Sequence, residues 1–409
     1  MTTEGRSTTS GQTADRKEVL AIYTVGLFQG LSLVAFPAAA TILTSPSAYS
    51  LSKSKYGLLF LPQVLLAIAA SLGWPKLART LSLKKVLAIG LVADVVSMGV
   101  LVATDPLQKS AAAYPLLLFA TACLGLGFGL TLGSISTYAG SFMPDRRDVA
   151  LTALNVLLGL GTALSPFLVA IFLHNGHWWY LPLICAVGLV LLLVTIALLP
   201  LRLSLEDAPS TGTRLPTLFW LFASVLVLYG VVETMFGNWG TTLLVGHGVR
   251  PASANNALAA FWAGVTVGRL VIAVASSWVR SNRVYVTLPW LMAGALLLAP
   301  LVKSAAAGIG VFLLGGLACS GFFPMTIGYG ESTFPNLIEL ATGWLIAAYQ
   351  LGYGVAAFGG GALQSVVSLG TLFRAAAAVA VVMGILSLPI ARRQKVIVRA
   401  RKPVPNLSG

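Results

Sequence analysis

The sequence predicts an all-α integral membrane protein with twelve transmembrane helices in two pseudo-symmetric halves of six. Three observations predict this fold class. Apolar residues make up 57% of the 409 residues and charged residues only 9%, whereas a soluble domain carries about a quarter charged residues. The apolar residues come in twelve runs, each long enough as helix to cross a hydrocarbon layer of roughly 30 Å. One polar connection, 201–215, divides these runs six and six.

The predicted spans follow one another through mostly short connections. They are 19–41, 56–75, 86–104, 112–138, 150–173, 180–200, 216–238, 256–278, 284–302, 308–329, 340–363 and 375–391. The two halves are therefore 19–200 and 216–391, with a tail at 1–18 and a basic tail at 392–409. The alternating ten-residue strands of a membrane β-barrel do not recur. Composition thus excludes a soluble multidomain protein.

The basic residues predict the orientation. Of the 26 Lys and Arg residues, 19 lie in the tails and connections that share the side of the N-terminus, six lie on the other side, and Arg269 lies within a span. Because cytoplasmic loops are enriched in Lys and Arg, both termini are predicted to be cytoplasmic, in a cell (inner or plasma) membrane. The formal charge of +14 then indicates loops that face anionic lipid headgroups, not a nucleic-acid partner.

The two halves repeat at the level of single residues. Gly125, Pro144 and Gly161 recur as Gly316, Pro335 and Gly352, each 191 residues further on, and Gly26 and Gln29 recur as Gly230 and Glu233, each 204 further on. Transporters place their site between related halves. The repeat therefore predicts a central cavity between the halves and transport of a small solute by alternating access.

Glu233 is the first candidate for chemistry, because a charged residue inside a span is unfavourable unless it has a function or a partner. Helical spacing places Tyr229, Phe236 and Gly237 on the same face as Glu233. We expect Glu233 to carry a coupling proton, which a gradient would load and unload. The alternative is a hydrogen bond from Glu233 to a neighbouring helix.

Arg269 and Asp94 are the other two charged residues inside spans. Arginine keeps its charge in proteins, so Arg269 needs an acid, backbone carbonyls or an anionic substrate. It is expected to bind substrate, to pair with Glu233, or to form a structural bridge. Asp94 is expected to have a structural role. The predicted substrate-binding residues are Gln29, Tyr229, Asn238, Trp239, Trp262, Arg269 and Gln350, and Asn155, Gln63, Tyr349 and Tyr353 are further residues that could line the cavity.

The connection after the second span resembles a motif of the major facilitator superfamily, G-x-L-x-D-R-x-G-R-K-K. Leu77, Lys84 and Lys85 match it, Arg79 stands in place of its aspartate, and Ser82 in place of its second glycine. The resemblance to this superfamily extends over nearly the whole chain. It implies two six-helix halves that rock around a central site, and a gating loop formed here by Arg79, Lys84 and Lys85.

Three stretches resemble the fucose-permease-like branch of that superfamily. They are Tyr229-Gly230-x-x-Glu233 with Gly237-Asn238-Trp239, Phe261-Trp262-Ala263-Gly264 with Gly268-Arg269-Leu270, and Gly321-Phe322-Phe323-Pro324. The resemblance implies proton-coupled uptake of sugars or similar polar solutes. Gln29 stands at the position in the first span where the repeat would place a second acidic residue, which weakens a scheme with two carboxyl groups.

The expected function is therefore secondary active transport, most simply proton-coupled uptake of a sugar-like or other small polar solute by a monomer. A proton or other ion gradient would supply the energy, and no cofactor or metal is expected. One alternative is a proton-driven exporter of drugs or metabolites. Another, from a different class, is a non-transporting membrane receptor. The sequence offers no nucleophile–base pair and no set of metal ligands, so an enzyme is not expected.

Overall fold

The computed structural model describes residues 15–143, 146–201, 203, 215–275, 278 and 280–400. Within these residues, eleven helical ranges are long and apolar enough to cross a membrane: Arg16–Leu43, Lys53–Leu81, Leu83–Ala103, Ala113–Phe142, Val149–His174, Tyr180–Leu198, Thr217–Gly246, Pro251–Ala275, Ser281–Leu301, Ala305–Thr333 and Leu369–Val396. A twelfth long helix, Ile338–Leu363, lies between the last two. The predicted all-α fold is confirmed. Most of the predicted linker 201–215, and residues 1–14 and 401–409 of the predicted tails, lie outside the described residues.

Three spans are broken in the described part of the chain, which the sequence does not predict. The first span has a helix that ends at Leu33, the second one that ends at Leu58, and the tenth is interrupted between Cys319 and Phe322. The first two helices end four residues before a proline, and in the tenth span Ser320 stands four residues before Pro324. Proline has no N–H to donate to the carbonyl four residues earlier, so the helical hydrogen-bond pattern is interrupted at these points. Prolines inside other spans leave their helices unbroken, so the ring permits a break without forcing one.

The two halves pack their helices in the same order. In the first half, the first span packs on the fifth, the second on the fourth, and the third on the sixth. In the second half, the seventh packs on the eleventh, the eighth on the tenth, and the ninth on the twelfth. The halves meet where the fifth span contacts the eighth and the second contacts the eleventh. A two-fold axis that exchanges the halves also exchanges these two interfaces, as the predicted pseudo-symmetry requires.

The repeated glycines lie at equivalent helix crossings. A Cβ atom on Gly161 would overlap the backbone of the first span, and one on Gly352 would overlap the backbone of the seventh. Gly125 and Gly316 are related in the same way to the second and eighth spans. Small residues allow two helix backbones to approach closely inside a membrane. Each half is therefore assembled around the same two close crossings. Pro144, a member of the predicted repeat, lies outside the described residues.

Ser82 joins the second and third spans with a backbone that suits glycine. Its φ is 91° and its ψ 148°, a region that side-chain-bearing residues avoid. The Ser82 hydroxyl accepts a hydrogen bond from the backbone N–H of Lys85 at 3.5 Å, as an N-cap. The resembled motif has its second glycine at this position, and the dihedral angles supply a physical reason for it.

Lys84, predicted to belong to a gating loop with Arg79 and Lys85, contacts the end of the sixth span. Its Nζ donates to the carbonyl oxygens of Ala197 at 2.8 Å and Leu199 at 2.7 Å. A cation at a helix C-terminus binds carbonyls that have no helical partner and interacts favourably with the helix dipole. In this conformation Lys84 therefore ties the third span to the sixth inside one half.

The twelfth helix extends past the predicted span. It runs from Leu369 to Ala400, so residues 392–400 of the predicted basic tail are helical. The Gln394 side chain explains why the extension stays attached, since its Nε2 donates to the Tyr329 carbonyl at 2.9 Å and to the Ser332 hydroxyl at 2.7 Å. These bonds hold the twelfth helix to the end of the tenth span.

Candidate functional site

Glu233 lies inside the second half with only 4% of its side chain exposed. Its Oε1 lies 2.7 Å from the hydroxyl oxygen of Tyr229, one helical turn earlier. Its Oε2 accepts a hydrogen bond of 2.5 Å from the hydroxyl of Tyr349 on the eleventh span. The crossing at Gly230 and Gly352 brings Tyr349 this close, because a Cβ on Gly230 would overlap the Tyr349 carbonyl. The sequence predicts a face with Tyr229 and Glu233 but not the bond from Tyr349.

A small cavity borders this carboxyl group. It is lined by Glu233, Thr234, Gly237, Asn238, Trp262, Tyr349 and Tyr353 and has a volume of about 10 Å³, which is room for about one water molecule. The Asn238 amide donates to the Tyr353 hydroxyl at 3.2 Å, while the indole N–H of Trp262 is buried without a hydrogen-bond partner in the described part of the chain. A sugar-sized solute requires this site to open.

An aromatic cluster of Tyr56, Trp239, Phe60 and Tyr353 closes one end of the site, across the interface between the halves. The ring of Tyr56 on the second span meets Trp239 edge to face at 5.3 Å, and Phe60 meets Tyr353 at 6.1 Å. Trp239 is fully buried, and its Nε1 donates to the carbonyl of Ala356 at 3.0 Å. Trp239, predicted to bind substrate, therefore packs in this cluster and does not line the cavity.

Arg269 reaches the break in the tenth span instead of the carboxyl group of Glu233. Its Nε donates to the carbonyl of Ser320 at 3.3 Å, and no ion pair joins it to Glu233 in the described structure. Ser320 is the residue whose carbonyl Pro324 leaves without a helical N–H partner. Of the three expected roles of Arg269, the contact seen here is the structural bridge, and the residue is not part of the cavity lining.

Gln29, the repeat partner of Glu233, lies in the interior of the first half. It is fully buried beside Asp94 of the third span, and both polar atoms of its amide lack a hydrogen-bond partner in the described residues. Thr131 donates to Asp94 Oδ2 at 3.5 Å, and the carboxyl group occupies space that a side chain on Gly127 would fill. The prediction that Gln29 lines the cavity therefore does not match this structure. The face of the first span that carries Gln29 turns towards the third and fourth spans.

The structure thus brings part of the predicted site together. Among the predicted residues, Glu233, Asn238 and Trp262 line the cavity, Tyr229 lies within hydrogen-bond distance of Glu233, and Gln29, Trp239, Arg269 and Gln350 are not part of the lining. Thr234 and Gly237 line it as well, and so do Tyr349 and Tyr353, which the sequence marked as further residues that could line the cavity. The four-residue spacing of the two tyrosines was the signal that pointed to them.

Residues 19–302 match the family model of the Major Facilitator Superfamily. The chain belongs to the major facilitator superfamily. It is a multi-pass membrane transporter of small solutes and a member of a family of transporters, not enzymes. No curated protein sequence matches it significantly.

Solved structures with the same fold include two transporters. The nucleoside transporter NupG, in a mutant form, is 13% identical with a TM-score of 0.70, and the match covers 91% of this chain and 99% of that one. A D-xylose–proton symporter is also 13% identical with a TM-score of 0.70, covering 92% and 96%. At this level of identity the similarity shows the fold alone.

Proposed function

We propose that this superfamily member takes up a sugar-like or other small polar solute together with protons, and that Glu233 carries the proton. The observation that carries the proposal is the placement of Glu233. It is a buried carboxyl group inside the bundle, it borders the cavity, and it is held by neutral tyrosine hydroxyls instead of an arginine. An ionisable residue in such a position is a candidate for a proton pathway.

The lining of the cavity supports a polar solute as cargo. Trp262 offers a buried indole N–H with no hydrogen-bond partner among the described residues, and a buried polar group of this kind is unfavourable until it is hydrogen-bonded. Asn238 and Tyr353 add an amide and a hydroxyl beside the aromatic rings. A few convergent polar groups among aromatic side chains are typical of sites for small ligands. An oxygen-rich solute would satisfy the donor of Trp262.

The aromatic cluster supports transport by alternating access. If both termini are cytoplasmic, as the distribution of Lys and Arg predicts, the end of the site closed by Tyr56 and Trp239 faces outward. Uptake then requires these two rings, which belong to opposite halves, to separate. The solute and the proton would shift the equilibrium between the two arrangements through their different affinities for each.

The test is uptake into proteoliposomes of labelled sugars, nucleosides, organic acids and amphipathic cations, with and without an inward proton gradient. We expect one polar solute to accumulate only with the gradient. Glu233→Gln removes the titratable group and keeps its size, so gradient-driven accumulation should be lost while exchange of labelled for unlabelled solute persists. Glu331→Gln makes the same chemical change outside the cavity lining and should behave as the unmodified protein.

Two results would contradict the proposal. One is full accumulation driven by the proton gradient in Glu233→Gln, which would remove Glu233 as the proton carrier. The other is that no polar solute is taken up and that amphipathic cations move in the direction opposite to the protons, which would identify an exporter.

A further inference from the structure

At the break in the tenth span, the backbone carbonyls of Cys319 and Ser320 are contacted by side chains of neighbouring spans. One helical segment ends at Cys319 and the next begins at Phe322. Arg269 donates to the carbonyl of Ser320, and the hydroxyl oxygen of Tyr229 lies 2.9 Å from the carbonyl oxygen of Cys319. The same Tyr229 oxygen lies 2.7 Å from Glu233 Oε1. Tyr229 therefore stands between the buried carboxyl group and the break.

The two contacts of the Tyr229 hydroxyl, with Glu233 and with Cys319, depend on the protonation of Glu233. A tyrosine hydroxyl has one hydrogen to donate, and a backbone carbonyl can only accept. Both contacts can be hydrogen bonds at the same time only if Glu233 is protonated. Glu233 then donates to the Tyr229 hydroxyl, and Tyr229 donates to the carbonyl of Cys319. An ionised Glu233 can only accept, so the hydroxyl must then choose between two acceptors. A hydrogen bond to a carboxylate is roughly twice as strong as a neutral one, so Tyr229 turns to Glu233 and Cys319 loses its donor.

We propose that Tyr229 is a positioning residue that links the protonation of Glu233 to the break in the tenth span. With Glu233 protonated, the Cys319 carbonyl is capped and the two segments of the span are held together. With Glu233 ionised, the cap is withdrawn and the segment Phe322–Thr333 is freer to move against Ala305–Cys319. The inference rests on the proposed role of Glu233 as proton carrier.

The packing around Tyr229 gives this link a mechanical path. Its ring stacks on Phe322, the first residue of the second segment, at a centroid distance of 5.7 Å, and lies 6.2 Å from Phe323. A change in the direction of its hydroxyl therefore acts where the segment starts. The other hydroxyl on Glu233, that of Tyr349, donates to Oε2 whether or not Oε1 carries a proton, so it takes no part in the exchange of partners.

The ionisable groups that face Glu233 come from four spans. Tyr229 lies on its own span, Arg269 on the eighth, Cys319 on the tenth and Tyr349 on the eleventh, and Tyr353 adds a second hydroxyl from the eleventh span. The ring of Tyr349 also packs on Phe323 at 5.0 Å, but its hydroxyl donates to Glu233 and that of Tyr353 bonds Asn238. Among these groups of the described chain, Tyr229 is the one whose hydroxyl contacts both the carboxyl group and a carbonyl of the break.

The test is amide hydrogen exchange of the full chain in lipid nanodiscs, read by mass spectrometry in peptides that cover 317–325. Rates at an acidic and an alkaline pH are corrected for the intrinsic pH dependence of exchange with a peptide from the eighth span. In the unmodified protein, we expect exchange at the break to be about fivefold faster at alkaline pH, which corresponds to one lost hydrogen bond.

Two variants should remove this pH dependence in opposite directions. Glu233→Gln always has an N–H to donate to Tyr229, so the break should stay slow to exchange at both pH values. Tyr229→Phe keeps the ring on Phe322 but cannot cap Cys319, so the break should exchange about fivefold faster at both pH values. The matched control, Tyr349→Phe, removes a hydroxyl from Glu233 but keeps the ring on Phe323 and leaves the contact of Tyr229 with Cys319 unchanged, so the pH dependence should remain.

A pH dependence that survives in Tyr229→Phe, or exchange at the break that is independent of pH in the unmodified protein, would overturn the inference. If Tyr229→Phe does not fold, the comparison of the unmodified protein with Glu233→Gln still decides, since the inference requires the variant to be fixed in the slow state. No transported solute enters this measurement. Loss of gradient-driven uptake in the proteoliposomes and loss of the pH-dependent break are therefore separate results, and either can fail alone.

Discussion

Substitution of Gly352 by alanine should weaken the crossing on which the site depends. The added Cβ would overlap the carbonyl oxygen of Val227, a backbone atom of the seventh span, so the two helices must move apart. Gly359 lies two turns further along the same helix and has no atom within 4 Å of an added Cβ. In both variants, alanine has a higher helix propensity than glycine, which stabilises the protein by up to about 1 kcal/mol. Overpacking costs about 1–3 kcal/mol and applies only to Gly352→Ala.

The difference between the two variants therefore isolates the close crossing. Thermal unfolding of the purified protein in detergent should place the melting temperature of Gly352→Ala below that of Gly359→Ala by about 2–12 °C, taking roughly 2–4 °C per kcal/mol for a half of this size. Separation of the two spans should also carry Tyr349 away from Glu233, so Gly352→Ala should lose gradient-driven uptake that Gly359→Ala keeps. Equal melting temperatures would refute the assignment of Gly352 to a backbone contact.

Two further predictions concern the connection after the second span. Ser82→Gly should raise the free energy of unfolding by about 1 kcal/mol, because it relieves a positive φ and losing the cap costs only a few tenths of a kcal/mol. Ser82→Ala keeps the strained backbone and should not stabilise the protein. A rise in melting temperature with alanine as large as with glycine would count against strain as the cause. Lys84→Met should lower the free energy of unfolding by about 1 kcal/mol, because the two hydrogen bonds to the sixth span are lost. The side chain of Lys85 is exposed, so Lys85→Met should change the free energy of unfolding by no more than about 0.5 kcal/mol. An equal effect of the two variants would show that Lys84 does not cap the sixth span.

Much of the fold could be predicted because the signals for it are local or periodic. Length and hydropathy of a run determine whether it spans a membrane, and the glycine repeat of Gly161 and Gly352 reflects a packing requirement that both halves share. The breaks were missed because proline interrupts some spans and not others. Pro324 coincides with the break of the tenth span, while Pro166 and Pro289 lie inside unbroken helices.

The site was predicted only in part because periodicity orders residues on one helix but does not orient that helix in the bundle. Glu233 and its repeat partner Gln29 occupy equivalent positions, yet Gln29 faces Asp94 within its own half while Glu233 borders the cavity. The third span places Asp94 beside Gln29 in the first half, whereas Glu233 meets the tyrosine hydroxyls of its own and the eleventh span. Trp239 was predicted to bind substrate from the motif around it. That motif does not show that the ring of Tyr56, from the other half, packs against Trp239.

What the sequence determined by itself is the membrane fold, the two halves and the burial of one carboxyl group at Glu233. These follow from hydropathy, from the repeat and from the high cost of a charge in a membrane. Only the tertiary structure decided that Tyr349 reaches Glu233 and that Tyr229 lies between Glu233 and the Cys319 carbonyl. These contacts join residues about 90 to 120 positions apart in the chain, and their distances depend on how closely helices cross. Spacing within a single helix does not encode that quantity.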